Sequence, residues 1–514
     1  MHGQPQVTQT IKLLPVCLEG VLLAMNEKFI DEYKNQHIKD EELGRGGQGV
    51  VFRTKDPDLA IKVVTEKDGK EASGKEEIDK YRNRFKRVRL LPIPRDLNIS
   101  LPLALLDKKP GYVMQLLSDM NPFSSFWPDT KAINDEEIPK WLGEAEKLKE
   151  EEKDGAKTIV HYMKTGGLRR RLCALYKCAC LLARLQGAGL VYGDISPHNI
   201  FVSNDFDNPT VWLIDSDNIR FEVDEKGSVV WTPKYGAPEL AQEKGFGTSY
   251  SDCHAFAVVA FYVLSLIHPF IGNKVGGWDD EDGEGSEDDA YAGLFPWVED
   301  RDDDSNSSKQ GLPRQLVVTR ELADLFERTF NQGRLNPPLR PAIYHWPSAL
   351  AKASDATIVC EECSMSFYYH YVDIETKEHS CPYCEKHRPQ IIVLESYRWK
   401  GPGVALDSPC WRYVREISSN SKVLVPRRVF DEFRVTDSDV RDLSIFLKDE
   451  KILIKNLNRD KYDISIAVDS AGKFKRIASY QIEIDLKSIQ SNIWMFAKTN
   501  SPRLVRCAIV GDVK

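Results

Sequence analysis

Four cysteines fall into two close pairs, Cys360-x-x-Cys363 and Cys381-x-x-Cys384, with seventeen residues between the pairs. Thiolates on two tight turns meet the tetrahedral geometry that Zn2+ accepts, and this spacing lies in the zinc-ribbon range. Four thiolates leave no open coordination position, so the expected site is structural; two redox dithiols are the alternative. His379 and His387 are spare ligand candidates. A second chemical signal lies near the other end of the chain. Gly44, Gly46 and Gly49 stand at G-x-G-x-x-G spacing within Leu43-Gly44-Arg45-Gly46-Gly47-Gln48-Gly49-Val50-Val51. Glycines let backbone N–H groups approach phosphate oxygens with no Cβ in the way. The same spacing occurs in a dinucleotide fingerprint, which leads into a helix. Here Val50-Val51-Phe52-Arg53 follows, and its β-branched residues read as a strand. Thirteen residues after Gly49, Lys62 stands among apolar neighbours in Leu59-Ala60-Ile61-Lys62-Val63-Val64, a second strand. Two strands, a glycine turn and an inward lysine form a lid over a nucleotide, with Lys62 neutralising the α- and β-phosphates. A hairpin with an incidental lysine is the plainer reading.

This lid resembles the glycine-rich loop and lysine of the protein-kinase family. The resemblance implies a helical glutamate paired with Lys62; Glu76 and Glu77 are the candidates, with Glu77 preferred. It also implies an adenine-binding hinge in Tyr112-Val113-Met114-Gln115-Leu116-Leu117, with contacts at Gln115 and Leu117. Further on, Leu190-Val191-Tyr192-Gly193-Asp194-Ile195-Ser196-Pro197-His198-Asn199 is similar to the family's catalytic loop, between a helix over 169–186 and a strand. On that resemblance Asp194 orients the attacking hydroxyl and accepts its proton, while Asn199 ligates Mg2+. Asp215, after the apolar Trp212-Leu213-Ile214, would be the second Mg2+ ligand, and ATP the phosphoryl donor.

Small-molecule phosphotransferases share this constellation, and Gly193-Asp194-Ile195-Ser196-Pro197-His198-Asn199 is similar to theirs as well. The following residues separate the two families. Thr232-Pro233-Lys234-Tyr235-Gly236-Ala237-Pro238-Glu239 resembles the end of a protein-kinase activation segment, the platform for a peptide substrate. Asp252 opens a long apolar helix as in protein kinases, and Arg340 offers the arginine that pairs with Glu239. A protein substrate is therefore implied. Tyr192 and Gly193 stand where the family usually has His and Arg, so a phosphorylated activation loop lacks its usual docking arginine. Ser196 replaces a common lysine, and Ser216-Asp217 replaces the usual Phe-Gly after the Mg2+ aspartate. The expected function is a serine/threonine protein kinase. The alternatives are a pseudokinase scaffold acting through its C-terminal domains and a small-molecule phosphotransferase.

The elements that must position these groups follow from patterning. At 514 residues the chain exceeds one hydrophobic core, and two to four domains are expected. A lead-in with helical patterning covers 1–39. Residues 40–350 run from short β-like segments to long helices, an α+β layout with two lobes, and on the resemblance a bilobal protein-kinase fold. A zinc ribbon is expected over 355–389, where Phe367-Tyr368-Tyr369-His370-Tyr371 alternates like a ribbon strand. From 390 to 514, period-two runs at 444–447, 452–454, 464–468, 480–484 and 493–496, with turn residues such as Asn458 and Gly472, imply an all-β, sandwich-like interaction domain. A charged stretch at 144–157 reads as a solvent-facing helix.

Composition adds exclusions. Thirteen acidic residues and one basic residue lie between Asp279 and Asp304, so this run carries −12 of the net −8 and the remainder carries +4. That excludes a dominant nucleic-acid stripe, and the run, about 276–312, reads as a solvated insertion. The longest apolar run, 255–267, is too short to span a bilayer and reads as a buried helix. The N-terminal stretch does not read as a signal peptide, and the cysteines outside the two pairs, three of them in 173–180, form no secreted disulfide framework. A cytoplasmic location is expected. The whole combination is similar to bacterial kinases encoded beside a metal-dependent phosphatase and a von Willebrand A-type protein. That implies a signalling or stress-defence role and a partner of one of those kinds.

Overall fold

The computed structural model describes residues 27–46, 49–65, 74–128, 136–223, 231–275, 286–372, 378–436, 440–448, 451–458, 463–468, 475–476, 481–485, 493–499 and 501–511. Gly47, Gln48, most of the lead-in, 276–285 of the acidic run, Gly472 and Tyr480 lie outside the described residues. The fold is α+β. The chain divides into two units, one built from Met1–Pro92, Ile99–Asp119 and Ile214–Asp217, the other from Ile93–Asn98, Met120–Leu213 and Asn218–Lys514.

The first unit is an antiparallel sheet with one helix. Its strands are β1 (Lys28–Ile30), β2 (Gln36–Gly46), β3 (Gly49–Thr54), β4 (Leu59–Val63), β5 (Ala104–Leu105) and β6 (Gly111–Gln115), in the order β1-β2-β3-β4-β6-β5. Residues 28–30 and 36–39, expected in a helically patterned lead-in, are strand instead, joined by a turn: Lys28, Phe29 and Ile30 pair with Ile38, His37 and Gln36. Period-two alternation sorts the side chains. Val50, Phe52, Ile61, Val63 and Val113 pack on one face with Phe29. Val64, Leu105 and Tyr112 meet Phe85 of α1 (Lys75–Leu90) on the other. Lys62, between Ile61 and Val63 and opposite Tyr112, shares the second face. Helix α1 carries Glu76 and Glu77 in its first turn and Arg87 and Arg89 in its last, the arrangement its dipole favours.

The second unit is built around helices. Helix α2 (Glu150–Lys164) starts later than the charged stretch suggested, and Glu152 accepts from the Lys149 N–H at 2.8 Å to cap it. It buries Ala156, Val160 and Tyr162, so it is not a purely solvent-facing helix. Helix α3 (Gly167–Gly187) is buried along most of its length, and burial pushes its Cys180 thiol up to about 12. Helix α4 (Ser249–Ser265) is capped by Ser251, which accepts from the Thr248 N–H at 2.6 Å. Helices α5 (Arg320–Glu327) and α6 (Trp346–Asp355) follow. Strand β7 (Met120–Pro122) pairs with β9 (Ile200–Ser203), which also pairs with β10 (Val211–Leu213); β8 (Leu190–Val191) pairs with β11 (Arg220–Phe221). No helix among the described residues is long and apolar enough to cross a membrane.

Beyond α6, β12 (Thr357–Val359) pairs with β13 (Ser366–Tyr368) beside the cysteines. The tail forms two antiparallel sheets. One joins β14 (Ile391–Arg398), β15 (Trp411–Glu416), β19 (Asp463–Val468), β20 (Lys475–Arg476), β22 (Ile493–Lys498) and β23 (Arg503–Val510) in the order β15-β14-β23-β22-β19-β20. The other joins β16 (Lys422–Pro426), β17 (Arg441–Lys448), β18 (Lys451–Asn456) and β21 (Gln481–Asp485) in chain order. These segments are bolted to the helices by buried charge. Asp355, at the end of α6, accepts from Arg428 Nε and Nη2 at 2.7 Å each and from the Trp411 indole at 2.9 Å. Arg169 of α3 pairs with Glu416 and donates to the Thr357 carbonyl at 2.7 Å. Helices, cysteine turns and tail strands thus share one packed interior.

Candidate active site and metal centre

In the first unit the sheet delivers one buried ammonium to two carboxylates. Lys62, only 5% exposed, ion-pairs with Asp215 and lies 2.8 Å from Asp217 Oδ2. Burial alone would lower its pKa, but the two aspartates outweigh that and hold the ammonium above its ordinary value. Neither Glu76 nor Glu77 is among its ion-pair partners. Glu76 is exposed and Glu77 half-buried on the first turn of α1, so the expected Lys62–Glu77 pair is corrected to Lys62 with Asp215 and Asp217. The α1 side chain that reaches this cluster is Arg84, whose Nε donates to the Asp217 carbonyl at 2.9 Å. Asp215 adopts φ +56, a left-handed conformation that aspartate tolerates better than most residues. Sequence reasoning treated Asp217 only as a departure; the signal was a second carboxylate two residues after Asp215.

The glycine segment closes the β2–β3 hairpin, where Gly46 pairs with Gly49, Arg45 with Val50 and Gly44 with Val51. A Cβ on Gly49 would lie 2.5 Å from the Val63 carbonyl oxygen, so packing demands glycine there. Gly44 and Gly46 have no described atom within 4 Å of such a Cβ. Packing among the described residues therefore does not account for these two glycines. Leu43 is exposed, and Arg45 pairs with Glu42 at 2.8 Å. Gln115 ends β6 opposite Leu59, and its side chain is exposed, while Leu117 just beyond is half-buried.

In the second unit the loop from Tyr192 to Asn199 lies between β8 and β9. Asp194 is 5% exposed, and Thr232 Oγ1 donates to its Oδ1 at 2.7 Å. Asn199 Nδ2 donates to the Asp194 carbonyl at 3.0 Å and lies 3.2 Å from Oδ2. The loop hangs from Asp252 on the first turn of α4, which accepts from the Tyr192 N–H at 2.7 Å and the Gly193 N–H at 3.0 Å. Burial pushes the Asp252 carboxyl up to about 7, against the pull of those two amides. Gly193 has φ +88 and a would-be Cβ 3.3 Å from the Asn218 carbonyl oxygen. That backbone favours glycine at the position before Asp194. Arg340, 3% exposed, grips Glu239 in a bidentate pair at 2.8 and 2.7 Å. Beside Asp194 lies a shallow cleft walled by Trp231, Thr232, Tyr235, Ala237 and Leu240. Tyr235 belongs to the segment the sequence singled out as a substrate platform, whereas Trp231 and Leu240, just outside it, escaped because isolated apolar residues carry no periodic signal.

The Sγ atoms of Cys360, Cys363, Cys381 and Cys384 lie within 4.8 Å of one another. Cys360–Cys384 and Cys363–Cys381 are each 3.6 Å apart, too far for a bond and near the ~3.8 Å edge of a ZnS4 tetrahedron with ~2.3 Å bonds. Each pair sits on a turn of the same kind. The Cys360 N–H donates to the Met365 carbonyl and that of Cys381 to the Lys386 carbonyl. Ser364 and Glu385, each just after a second cysteine, take φ +58 and +61. This donor set fits Zn2+, and His379 and His387 lie outside it.

No family model matches the chain. Three similar proteins are the serine/threonine-protein kinase dkf-2 of Caenorhabditis briggsae, the cAMP-dependent protein kinase catalytic subunit PRKX of Homo sapiens, and the serine/threonine-protein kinase pkn2 of Myxococcus xanthus. Identities are 36% over 91 residues, 32% over 95 and 32% over 110, covering 17%, 18% and 20% of this chain. Over these segments the chain is similar to serine/threonine-protein kinases. The matched segments span only 8%, 25% and 13% of these kinases.

Proposed function

We propose that the chain is an ATP-dependent serine/threonine protein kinase. The observation that carries this reading is the held carboxylate of Asp194, fixed by Thr232 and Asn199 on a loop anchored to Asp252. In the proposed reaction Asp194 accepts the proton of a substrate hydroxyl as its oxygen bonds to the γ-phosphorus. The bond to the bridging oxygen breaks, and ADP leaves. Lys62 orients the α- and β-phosphates. Asn199 and Asp215 would hold Mg2+, which supplies positive charge to the phosphate oxygens when bound. The Glu239–Arg340 pair fixes the end of the substrate platform. The cysteine turns hold a structural Zn2+, and the reaction takes place in the cytoplasm.

Incubation with ATP, Mg2+ and a generic protein substrate tests the proposal, alongside Asp194→Asn and Lys62→Met. Transfer to protein that both substitutions abolish supports it. ATP binding without transfer supports a pseudokinase scaffold, and transfer only to small hydroxyl compounds supports a small-molecule phosphotransferase.

A further inference from the structure

We infer that Lys234 is a specificity-determining residue, which selects substrates carrying an anionic side chain, carboxylate or phosphate, close to the acceptor hydroxyl. The inference rests on the kinase reading above and deepens it by naming the substrate class. Lys234 stands two residues after Thr232, the donor to Asp194, and an extended dipeptide spans at most about 7 Å. A peptide that offers its hydroxyl to Asp194 therefore passes the Lys234 side chain within about three residues. Lys234 is half-buried, and among the described residues no carboxylate pairs with it. Its Nζ instead lies 4.8 Å from the centre of the Tyr262 ring and 3.5 Å from the Tyr262 hydroxyl. A ring face attracts the ammonium but carries no net charge, so the positive charge stays available to a substrate anion.

The lysine is also held in place before any peptide arrives. Its backbone takes φ +51, a conformation unfavourable for a residue with a Cβ. Two contacts fix that backbone. The Tyr235 and Gly236 N–H groups both donate to the Thr232 carbonyl, at 3.2 and 3.1 Å, and His268 Nε2 donates to the Lys234 carbonyl at 2.8 Å. Burial pushes His268 down to about 3, so its ring is neutral, and Nδ1 accepts from the Phe270 N–H at 3.2 Å, which leaves the ring proton on Nε2. The Tyr262 ring under the ammonium is itself packed edge-on by Trp127, with ring centres 4.5 Å apart. Much of the rotamer entropy that a free lysine would lose on binding is therefore already spent. The nearest acidic helix, Glu287–Tyr291, touches this group through Tyr291, edge-on to His268 at 5.2 Å. Its Glu287 accepts from the Tyr291 hydroxyl and its Asp289 from the Ser286 N–H, so these carboxylates are engaged within their own turn.

Peptide kinetics on the full chain test the inference. Each peptide holds one serine among alanines and glycines, with glutamate, phosphoserine, alanine or lysine placed in turn at each nearby position on either side. At one such position glutamate, phosphoserine or both should raise kcat/KM at least about fivefold over alanine, the size of one charge-assisted contact. A gain with phosphoserine alone narrows the ligand to a phosphate. Lys234→Ala should cut that ratio below about twofold, Lys234→Arg should keep it, and Lys234→Glu should turn the preference towards lysine. Lys244→Ala, at a nearby exposed lysine that donates to Gln242, should leave the ratio intact. Equal rates with anionic and alanine peptides, or a ratio that survives in Lys234→Ala, overturn the inference. So does a lysine preference in the wild type, which would assign recognition to the acidic helix Glu287–Tyr291. If the wild-type chain transfers to no peptide, the kinase reading fails, and fluorescence anisotropy of fluorescein-labelled peptides with alanine in place of the serine decides. Binding that needs the anionic residue and that Lys234→Ala weakens at least about fivefold supports the inference, and its absence overturns it.

Discussion

Around Asp355 one carboxylate meets the bidentate Arg428, the Trp411 indole and, at 3.6 Å, Arg415, whereas around Lys62 one ammonium meets two carboxylates on a single turn. Both clusters are buried, but they answer substitution differently. Asp355 is the hub: without it, Arg428 and Arg415 lose their shared counter-charge inside a packed interior. The Lys62 cluster is redundant by construction, since either aspartate can be drawn elsewhere and leave the ammonium paired. Saturated buried charge cross-links a fold, and redundant buried charge can exchange partners during a reaction.

That contrast can be broken at several points. Removing the metal proposed for the cysteine turns should have the largest effect. Zinc binding free energy of roughly 10 kcal/mol or more becomes folding free energy in such sites, so Cys381→Ser or strong chelation should unfold the cysteine turns. Circular dichroism melting and elemental analysis, with one Zn per chain expected, check this; a chain that melts unchanged and binds no zinc would sink the metal assignment. Asp355→Ala should cost about 3–5 kcal/mol, because it leaves buried guanidinium groups unpaired. Denaturant unfolding should show Asp217→Asn costing clearly less, and equal losses would mean that both clusters are structural. Asp194→Asn should reverse the pattern, lowering transfer by about 10²–10⁴-fold while barely moving the unfolding midpoint. The smallest effect concerns regulation. Gly193 stands where a phosphate-docking arginine would be, so phosphatase treatment should change activity by less than about twofold. A large loss would show that another cation receives a phosphorylated loop.

Much of the candidate site was legible because its chemistry is local in sequence. Asp194 and Asn199, the glycines with Lys62, and the two cysteine pairs each declare themselves by residue type and spacing. The Lys62 partner was not legible, since pairing across 155 positions depends on which turn approaches β4. Several tail strands also escaped detection. Ile391-Ile392-Val393-Leu394 in β14 lies between β15 and β23, is largely buried, and so shows no alternation to read. The strand at 28–30 was missed because a three-residue edge strand carries almost no periodic signal.

The sequence by itself determined which groups are available: a carboxylate at Asp194, an ammonium at Lys62, four thiolates and a glycine hairpin. Spacing of a few residues sets those constellations, because tight turns and strand alternation allow little freedom over such distances. Tertiary structure decided the pairings between distant segments. It placed Asp217 on Lys62, Arg340 on Glu239, and Asp355 between the helices and the tail strands. Long-range pairing between buried charges follows from which surfaces desolvate together, and no local pattern encodes that.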